Sequence, residues 1–141
     1  RAAICPATAG AQGSEGTVRT LIIGGPKTGK TTLSQSYACP VRHTDDLIGK
    51  LDWSAASAEV ATWFDAPGPW CIEGVAVVRA LRKWLATHPD GTPADRILFL
   101  TEPKIPVTAG QAAMTKGIDT VWEEIEGDLL LRGVDITKGT P

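Results

Sequence analysis

The sequence predicts a single α/β domain whose strands form a parallel sheet. Short apolar runs alternate along the chain with segments of helical periodicity, and such alternation produces parallel sheets through right-handed crossovers. The first apolar run begins at Val18 and is almost unbroken, as expected for a strand covered on both faces. The 141 residues suffice for one domain with a proper core and are too few for two ordinary domains.

The first 17 residues, RAAICPATAGAQGSEGT, have neither strand nor helix periodicity and are rich in Ala, Gly, Ser and Thr. We therefore expect a flexible N-terminal tail over residues 1–17 and a folded domain over residues 18–141. The tail contains no apolar stretch of the kind a signal peptide needs, so we do not expect it to direct export.

Composition excludes several classes of protein. Hydrophobic residues make up 43% of the chain and charged residues 21%, close to the averages for globular proteins. No apolar run approaches the ~20 residues that span a bilayer, and a net charge of −2 does not indicate nucleic acid as a partner. The three cysteines lack C-x-x-C spacing, which favours free thiols in a reducing cytoplasm. We expect a cytoplasmic protein without a membrane partner.

The first half of the domain contains three predicted strands and two predicted helices. VRTLIIGG forms the first strand, KTTLSQSYA at residues 30–38 a helix after a Gly-rich turn, and PVRHT at residues 40–44 a short second strand. WSAASAEVATWF at residues 53–64 predicts a helix that the following Pro-Gly-Pro turn ends. PWCIEG at residues 69–74 predicts the third strand.

The second half contains two amphipathic helices and two predicted strands. VVRALRKWLA at residues 77–86 precedes the strand RILFL at residues 96–100, and TEPKIPVTAGQ at residues 101–111 reads as a Pro-broken connection. A further helix is centred on residues 118–129, and GVDIT at residues 133–137 predicts a fifth strand. The apolar faces of the two helices consist of Val77, Val78, Leu81, Trp84 and Leu85, and of Ile118, Val121, Trp122, Ile125 and Leu129.

The segment GGPKTGKT, from Gly24 to Thr31, matches the pattern G-x-x-x-x-G-K-[ST] between a predicted strand and a predicted helix. Its glycines let successive backbone N–H groups point at phosphate oxygens, and the helix N-terminus adds partial positive charge. Lys30 would reach the β- and γ-phosphates and act in catalysis, and the Thr31 hydroxyl would ligate Mg²⁺. The sequence thus predicts ATP and Mg²⁺ as ligands. The nucleotide-binding residues would be Gly24, Gly25, Pro26, Lys27, Thr28, Gly29, Lys30, Thr31 and Thr32.

On this motif the chain resembles the P-loop NTPases, and more narrowly their small kinases, the nucleoside, nucleotide, shikimate and adenylate kinase group. The resemblance covers residues 18–136 as architecture, and only the P-loop is specific as a motif. It implies a three-layer α/β/α fold with strand order 2-3-1-4-5. Ligands of parallel sheets bind at the carboxyl ends of the strands. Asp45, Asp46 and Glu73 would then converge near the γ-phosphate.

Glu73 ends an apolar strand in the form of a Walker B motif with Glu in place of Asp. It could hold Mg²⁺ through water or position the acceptor. The alternative is a strand-end glutamate in solvent. Glu102, after the fourth strand, is a rival for the same role.

Asp45 and Asp46 follow the second strand, where the resemblance implies an acid that binds the acceptor. A kinase must orient or deprotonate a hydroxyl, and a carboxylate is already ionised for this task at neutral pH. The alternative is that Thr44 caps a helical turn and that both acids favour its dipole. The sequence leaves open which aspartate is the base.

The remaining charged candidates are less specific. Arg79 lies nearest the end of the third strand and could hold a substrate phosphate or the transferring group. Arg82 and Lys83 share its helical face, and for Lys83 a solvated role is favoured. His43 and His88 have no partners at ligand spacing and are expected to be core or surface residues.

One departure from the family pattern concerns the lid, which usually carries arginines after the fourth strand. Between Ile97 and Leu131 the chain has no arginine, and Lys104 and Lys116 are its only cations there. Such an arginine can supply roughly 10³–10⁵ in rate. Arg79, Arg82 or Arg132 would have to compensate.

Three functions remain on the sequence alone. The leading one is an ATP-dependent phosphotransferase acting on a hydroxyl or phosphate of a nucleoside, nucleotide or similar small-molecule acceptor. HTDDL, IEG and RALRKWL also resemble small P-loop kinases of bacteriophages, which include enzymes that phosphorylate hydroxymethyluracil in DNA after flipping out the base. The third is a P-loop ATPase or nucleotide-binding module without an acceptor.

Overall fold

The computed structural model describes residues 18–24, 39–47, 50–100 and 108–139. These residues form five strands and three helices, and a short 3₁₀ turn at Thr44–Asp46 follows the second strand. The strands are β1 Arg19–Gly24, β2 Val41–His43, β3 Trp70–Glu73, β4 Arg96–Leu100 and β5 Asp135–Gly139. The helices are α1 Trp53–Trp63, α2 Val77–Thr87 and α3 Ala109–Leu131.

All five strands are parallel and lie in the order β2-β3-β1-β4-β5. The fold is therefore α/β with the predicted order 2-3-1-4-5. β1 is the central strand, and its Ile22 pairs in register with Glu73 of β3. On the other side, Gly24 pairs with Leu100 of β4. The carboxyl ends of β3, β1 and β4 thus meet at one edge of the sheet, which is where ligands of such sheets bind.

Apolar side chains cover both faces of the sheet. Leu21 and Ile23 point to the face that packs against α1, α2 and α3 and belong to the larger core cluster. The opposite face carries a second cluster of Ile22, Cys39, Cys71 and Leu100. Two apolar faces are what a three-layer α/β/α fold requires. Cys39 and Cys71 are both buried in this second cluster.

The α2 helix has the predicted amphipathic pattern. Its first residue, Val77, is fully buried, and the opposite face carries Arg82, which is exposed. Burial of a large apolar side chain stabilises the fold by roughly 1.5–3 kcal/mol. The buried face consists of Val77, Val78, Ala80, Leu81, Trp84 and Leu85.

The α3 helix begins earlier than the sequence indicated. Residues 109–111 were expected to belong to the Pro-broken connection, but the helix begins at Ala109 with a capping box. The Thr108 hydroxyl accepts a hydrogen bond from the Gln111 backbone N–H at 3.1 Å, and the Gln111 side chain accepts one from the Thr108 N–H at 2.9 Å. The two bonds satisfy N-terminal donors that the helix itself leaves unpaired.

The amino edge of the sheet is held by a contact between β1 and the loop before β4. Asp95 accepts hydrogen bonds from the Arg19 backbone N–H at 2.8 Å and from its guanidinium at 3.2 Å. Burial on its own raises the pKa of Asp95, but the hydrogen bonds and charge of Arg19 outweigh it and hold this pKa below its usual 3.8.

Several predicted segments lie outside the described residues, namely the tail at 1–17, the helix at 30–38 and most of the connection after β4. None of the helices in the described part of the chain is both long and apolar enough to span a bilayer.

Candidate functional site

The GGPKTGKT segment begins at the carboxyl end of the central strand. Gly24 is the last residue of β1 and is buried between β3 and β4. The other predicted nucleotide-binding residues, at positions 25–32 and including Lys30 and Thr31, lie outside the described residues. β1 therefore ends at the edge of the sheet where parallel sheets bind their ligands.

Glu73 is a buried carboxylate at the end of the neighbouring strand. It is the last residue of β3, is 1% exposed, and pairs in register with Ile22. The alternative of a strand-end glutamate in solvent is therefore wrong. A buried carboxylate needs polar partners to offset its lost hydration, so its surroundings are part of the site. The rival acid, Glu102, lies outside the described residues.

His43 is a partner of Glu73 that sequence reasoning missed. Its Nδ1 lies 2.5 Å from Glu73 Oε2, and the two residues are register partners at the ends of β2 and β3. The expectation that His43 has no partner is wrong. The available signal was the placement of both residues at the ends of predicted strands, because parallel neighbours at the same level point to the same side.

Thr44 does not cap the turn that carries the two acids. The N-cap of the 3₁₀ turn is His43, and no side chain caps it. Instead the buried Thr44 hydroxyl accepts a hydrogen bond from the Ala76 backbone N–H at 3.4 Å. Gly74 passes so close that an added Cβ would lie 1.8 Å from Thr44 Oγ1. Capping by Thr44 is therefore wrong, although both acids lie in the first turn as that alternative has them. Thr44 instead fixes the turn against the loop between β3 and α2.

Asp45 and Asp46 are both exposed on this turn, but their surroundings differ. Asp46 lines a cavity of about 300 Å³ along the outer edge of β2, and Asp45 is absent from its lining. We call this cavity the β2 pocket. It is lined by Val41, Arg42, His43, Asp46, Leu47 and Trp63. Of the two aspartates, Asp46 is the one that a ligand in the pocket would meet.

Arg42 is a second residue that sequence reasoning missed. Its guanidinium carbon lies 3.7 Å from the ring centroid of Trp63, which is 7% exposed and belongs to the main core. A stack of this kind fixes the plane of the guanidinium while its N–H donors stay at the edges of that plane. The β2 pocket thus combines one cation, one carboxylate and one imidazole.

Arg79 lies in the first turn of α2 and faces the other two helices. Its guanidinium carbon is 5.3 Å from the ring centroid of Trp53, the first residue of α1. Its Nη2 is 3.2 Å from the position that a Cβ on Gly117 of α3 would take. Its role at a substrate phosphate stays a prediction. Its described contacts connect α2 to the first residue of α1 and to the first half of α3.

The other cations occupy different surroundings. Arg82 contacts Glu124 of α3 at 3.3 Å, and both side chains are about half exposed. Arg132 follows the last residue of α3 and donates a hydrogen bond to the Gly91 carbonyl at 2.9 Å. This contact lies at the edge of the sheet opposite the candidate site. Arg132 therefore lies away from the candidate site. Lys116 is exposed within α3, and Lys104 lies outside the described residues.

The predicted Mg²⁺ site can be compared with the acidic residues that the structure describes. Within residues 18–24, 39–47, 50–100 and 108–139 no three His, Cys, Asp or Glu side chains are grouped to hold a metal ion. Mg²⁺ in nucleotide sites needs only one or two carboxylates besides the phosphates and water. Glu73, one strand away from Gly24, is the carboxylate that would serve in this way if a nucleotide binds at Gly24.

Comparison with known proteins adds no family assignment to this geometry. No protein-family model matches the chain, and no curated protein matches it.

Proposed function

We propose that the protein is an ATP-dependent phosphotransferase of the P-loop kinase type. The observation that carries the proposal is the meeting of three features at one edge of the sheet. The GGPKTGKT motif begins at the last residue of the central strand, and a buried Glu73 ends the neighbouring strand. The next strand leads into the turn that presents Asp46.

The nucleotide would be held by the chain's own phosphate-binding loop. Backbone N–H groups of residues 24–32 would bind the phosphate oxygens, with Lys30 against the β- and γ-phosphates. Thr31 and, through water, Glu73 would hold Mg²⁺, which neutralises charge on the phosphates when bound. His43 would keep Glu73 in place through its hydrogen bond, since a fixed carboxylate is a better ligand than a mobile one.

The acceptor would meet Asp46 on the rim of the β2 pocket. Asp46 would orient the acceptor hydroxyl and take its proton as the acceptor oxygen forms a bond to the γ-phosphorus. The bond between that phosphorus and the β–γ bridging oxygen breaks, and ADP leaves with the electron pair. The products are a phosphorylated acceptor and ADP.

The proposal is tested by measuring ADP release from MgATP with a panel of acceptors. The panel should contain free nucleosides, nucleoside monophosphates, hydroxy acids, sugar phosphates and a hydroxymethylated DNA duplex. The proposal predicts ADP release that depends on at least one acceptor and a phosphorylated product of matching amount. ADP release that is the same with and without every acceptor would contradict it.

A second candidate is nucleotide hydrolysis or binding without an acceptor. It is favoured by the lack of arginine between Ile97 and Leu131 and by the contact of Arg82 with Glu124, because both leave fewer cations for the transferring group. Basal hydrolysis that no acceptor stimulates, or tight ADP binding without turnover, would support it.

A further inference from the structure

We propose that the β2 pocket is the acceptor site and that Arg42 selects acceptors carrying an anionic group beside the hydroxyl. This inference rests on the proposed phosphotransferase function and adds to it the chemical class of the second substrate. It assigns a specificity role to Arg42 and a supporting role to Trp63.

Stacking on Trp63 holds the positively charged guanidinium of Arg42 in a fixed plane at the side of the pocket. Trp63 is 7% exposed and packs in the main core, so the ring is a fixed support. Arg42 is exposed, and its guanidinium carbon lies 3.7 Å from the ring centroid. Because stacking uses the face of the guanidinium, the N–H groups at its edges can bind a carboxylate or phosphate.

The other polar groups of the pocket suit a hydroxyl. Asp46 is an acceptor of hydrogen bonds, and its turn is fixed through the buried Thr44. His43 uses Nδ1 toward Glu73, so Nε2 is the ring nitrogen left to meet a ligand. A ligand with a hydroxyl and an anion can therefore be bound at two points, the hydroxyl by Asp46 or His43 and the anion by Arg42.

Neutral and apolar ligands fit this pocket less well. A bound neutral ligand would displace water from Arg42 without replacing its hydrogen bonds, which carries a desolvation penalty. The volume of about 300 Å³ is at the lower end of ligand pockets, which span about 300–1,000 Å³. The pocket thus suits a single sugar phosphate or hydroxy acid.

The first test compares matched acceptors that differ in one anionic group. Ribose and ribose 5-phosphate, and glycerol and glycerol 3-phosphate, would be assayed for kcat/KM at saturating MgATP. We expect the anionic member to be favoured by about 10- to 100-fold, the range of one charge-assisted hydrogen bond. Arg42→Gln should remove this preference mainly through KM, and Arg42→Lys should retain part of it.

Arg82→Gln is the matched control, because it removes an exposed arginine whose contact is Glu124 on another helix. It should leave the preference unchanged. Thermal melts of all three variants separate a loss of specificity from a loss of folding. Equal use of neutral and anionic acceptors, or a preference that survives Arg42→Gln in folded protein, would overturn the inference.

The second test measures binding without turnover and separates this inference from the proposed function. Ribose 5-phosphate would be titrated calorimetrically into Lys30→Ala protein, so that the phosphate-binding loop contributes little. Binding that Arg42→Gln abolishes in this background supports the pocket even if no acceptor is ever phosphorylated. Turnover without Arg42-dependent selection leaves the phosphotransferase standing and rejects the pocket. No Arg42-dependent binding together with no turnover rejects both.

Discussion

His43 Nδ1 lies 2.5 Å from Glu73 Oε2, so the imidazole at the end of an edge strand contacts a carboxylate that is 1% exposed. His43 itself is 36% exposed and also lines the β2 pocket. The imidazole therefore lies between the buried Glu73, on the strand next to β1, and the cavity on the outer edge of the sheet. A ligand in that cavity would contact the imidazole that is hydrogen-bonded to Glu73.

Replacing His43 should destabilise the protein because the replacement removes a hydrogen bond from a buried carboxylate. We expect His43→Ala to lower the free energy of unfolding by about 1–3 kcal/mol in urea denaturation at neutral pH. His43→Asn is the matched control, since its amide can donate from nearly the place of Nδ1. It should recover part of the loss, and equal stability of His43→Ala and wild type would refute this account of the contact.

Gly74→Ala should be severely destabilising. At Gly74 φ is +142°, and an added Cβ would lie 1.8 Å from Thr44 Oγ1. Backbone strain and overpacking together predict a loss of more than about 3 kcal/mol. Gly133→Ala separates the two causes, because φ there is +88° but the Cβ would meet nothing within 4 Å. It should cost only about 1–2 kcal/mol. A similar loss for both variants in thermal melts would mean that the Thr44 contact is unimportant.

The two aspartates of the turn should differ in kinetics. Asp46 lines the β2 pocket, so Asp46→Asn should lower kcat by about 10²-fold or more through loss of a general base. Asp45→Asn changes charge equally on the same turn and should have a much smaller effect. Steady-state kinetics with the best acceptor would check this. A larger loss of kcat for Asp45→Asn would reverse the assignment.

Asp95 should contribute to stability in a pH-dependent way. Its pKa is lower in the folded state, so its stabilisation is present above its usual pKa of 3.8 and is lost as the pH falls through the folded value. We expect Asp95→Asn to be less stable than wild type by up to about 1 kcal/mol at pH 7, since solvent screens this half-exposed pair. The difference should shrink below pH 3.8.

Asp90→Asn serves as the comparison for Asp95→Asn, because Asp90 is exposed in the turn before β4. The free energy of unfolding of Asp90→Asn should equal that of wild type across the same pH range. If the stability gap between wild type and Asp95→Asn were constant down to acid pH, the contact with Arg19 would not be the cause of the lowered pKa.

Local patterns predicted the elements well wherever one face of an element is buried. The apolar positions of α2 recur at helical spacing, and its apolar face is buried as expected. The start of α3 was missed because its first turns are mostly exposed and give no apolar period, although Thr108 and Gln111 form a capping box. In a single sequence, capping residues alone are weak signals of where a helix begins.

Contacts at the site could be predicted only in part. The resemblance to P-loop kinases implied the strand order, and the order placed Glu73 beside the central strand. The pairing of His43 with Glu73 depends on the exact register of two strands whose partners are 30 residues apart. The stack of Arg42 on Trp63 depends on how α1 packs beside an edge strand. Both are tertiary relationships, and no local periodicity encodes them.

Transfer of the labelled γ-phosphoryl group of ATP to an acceptor tests the central proposal most directly. Wild-type protein, Lys30→Ala and the control Lys138→Ala, which removes an exposed charge on β5, would be compared in single-turnover assays. We predict labelled acceptor with wild type and Lys138→Ala, and at least about a 10²-fold slower transfer with Lys30→Ala. Transfer at the wild-type rate by Lys30→Ala, or no labelled acceptor from wild-type protein, would contradict the proposed phosphotransferase.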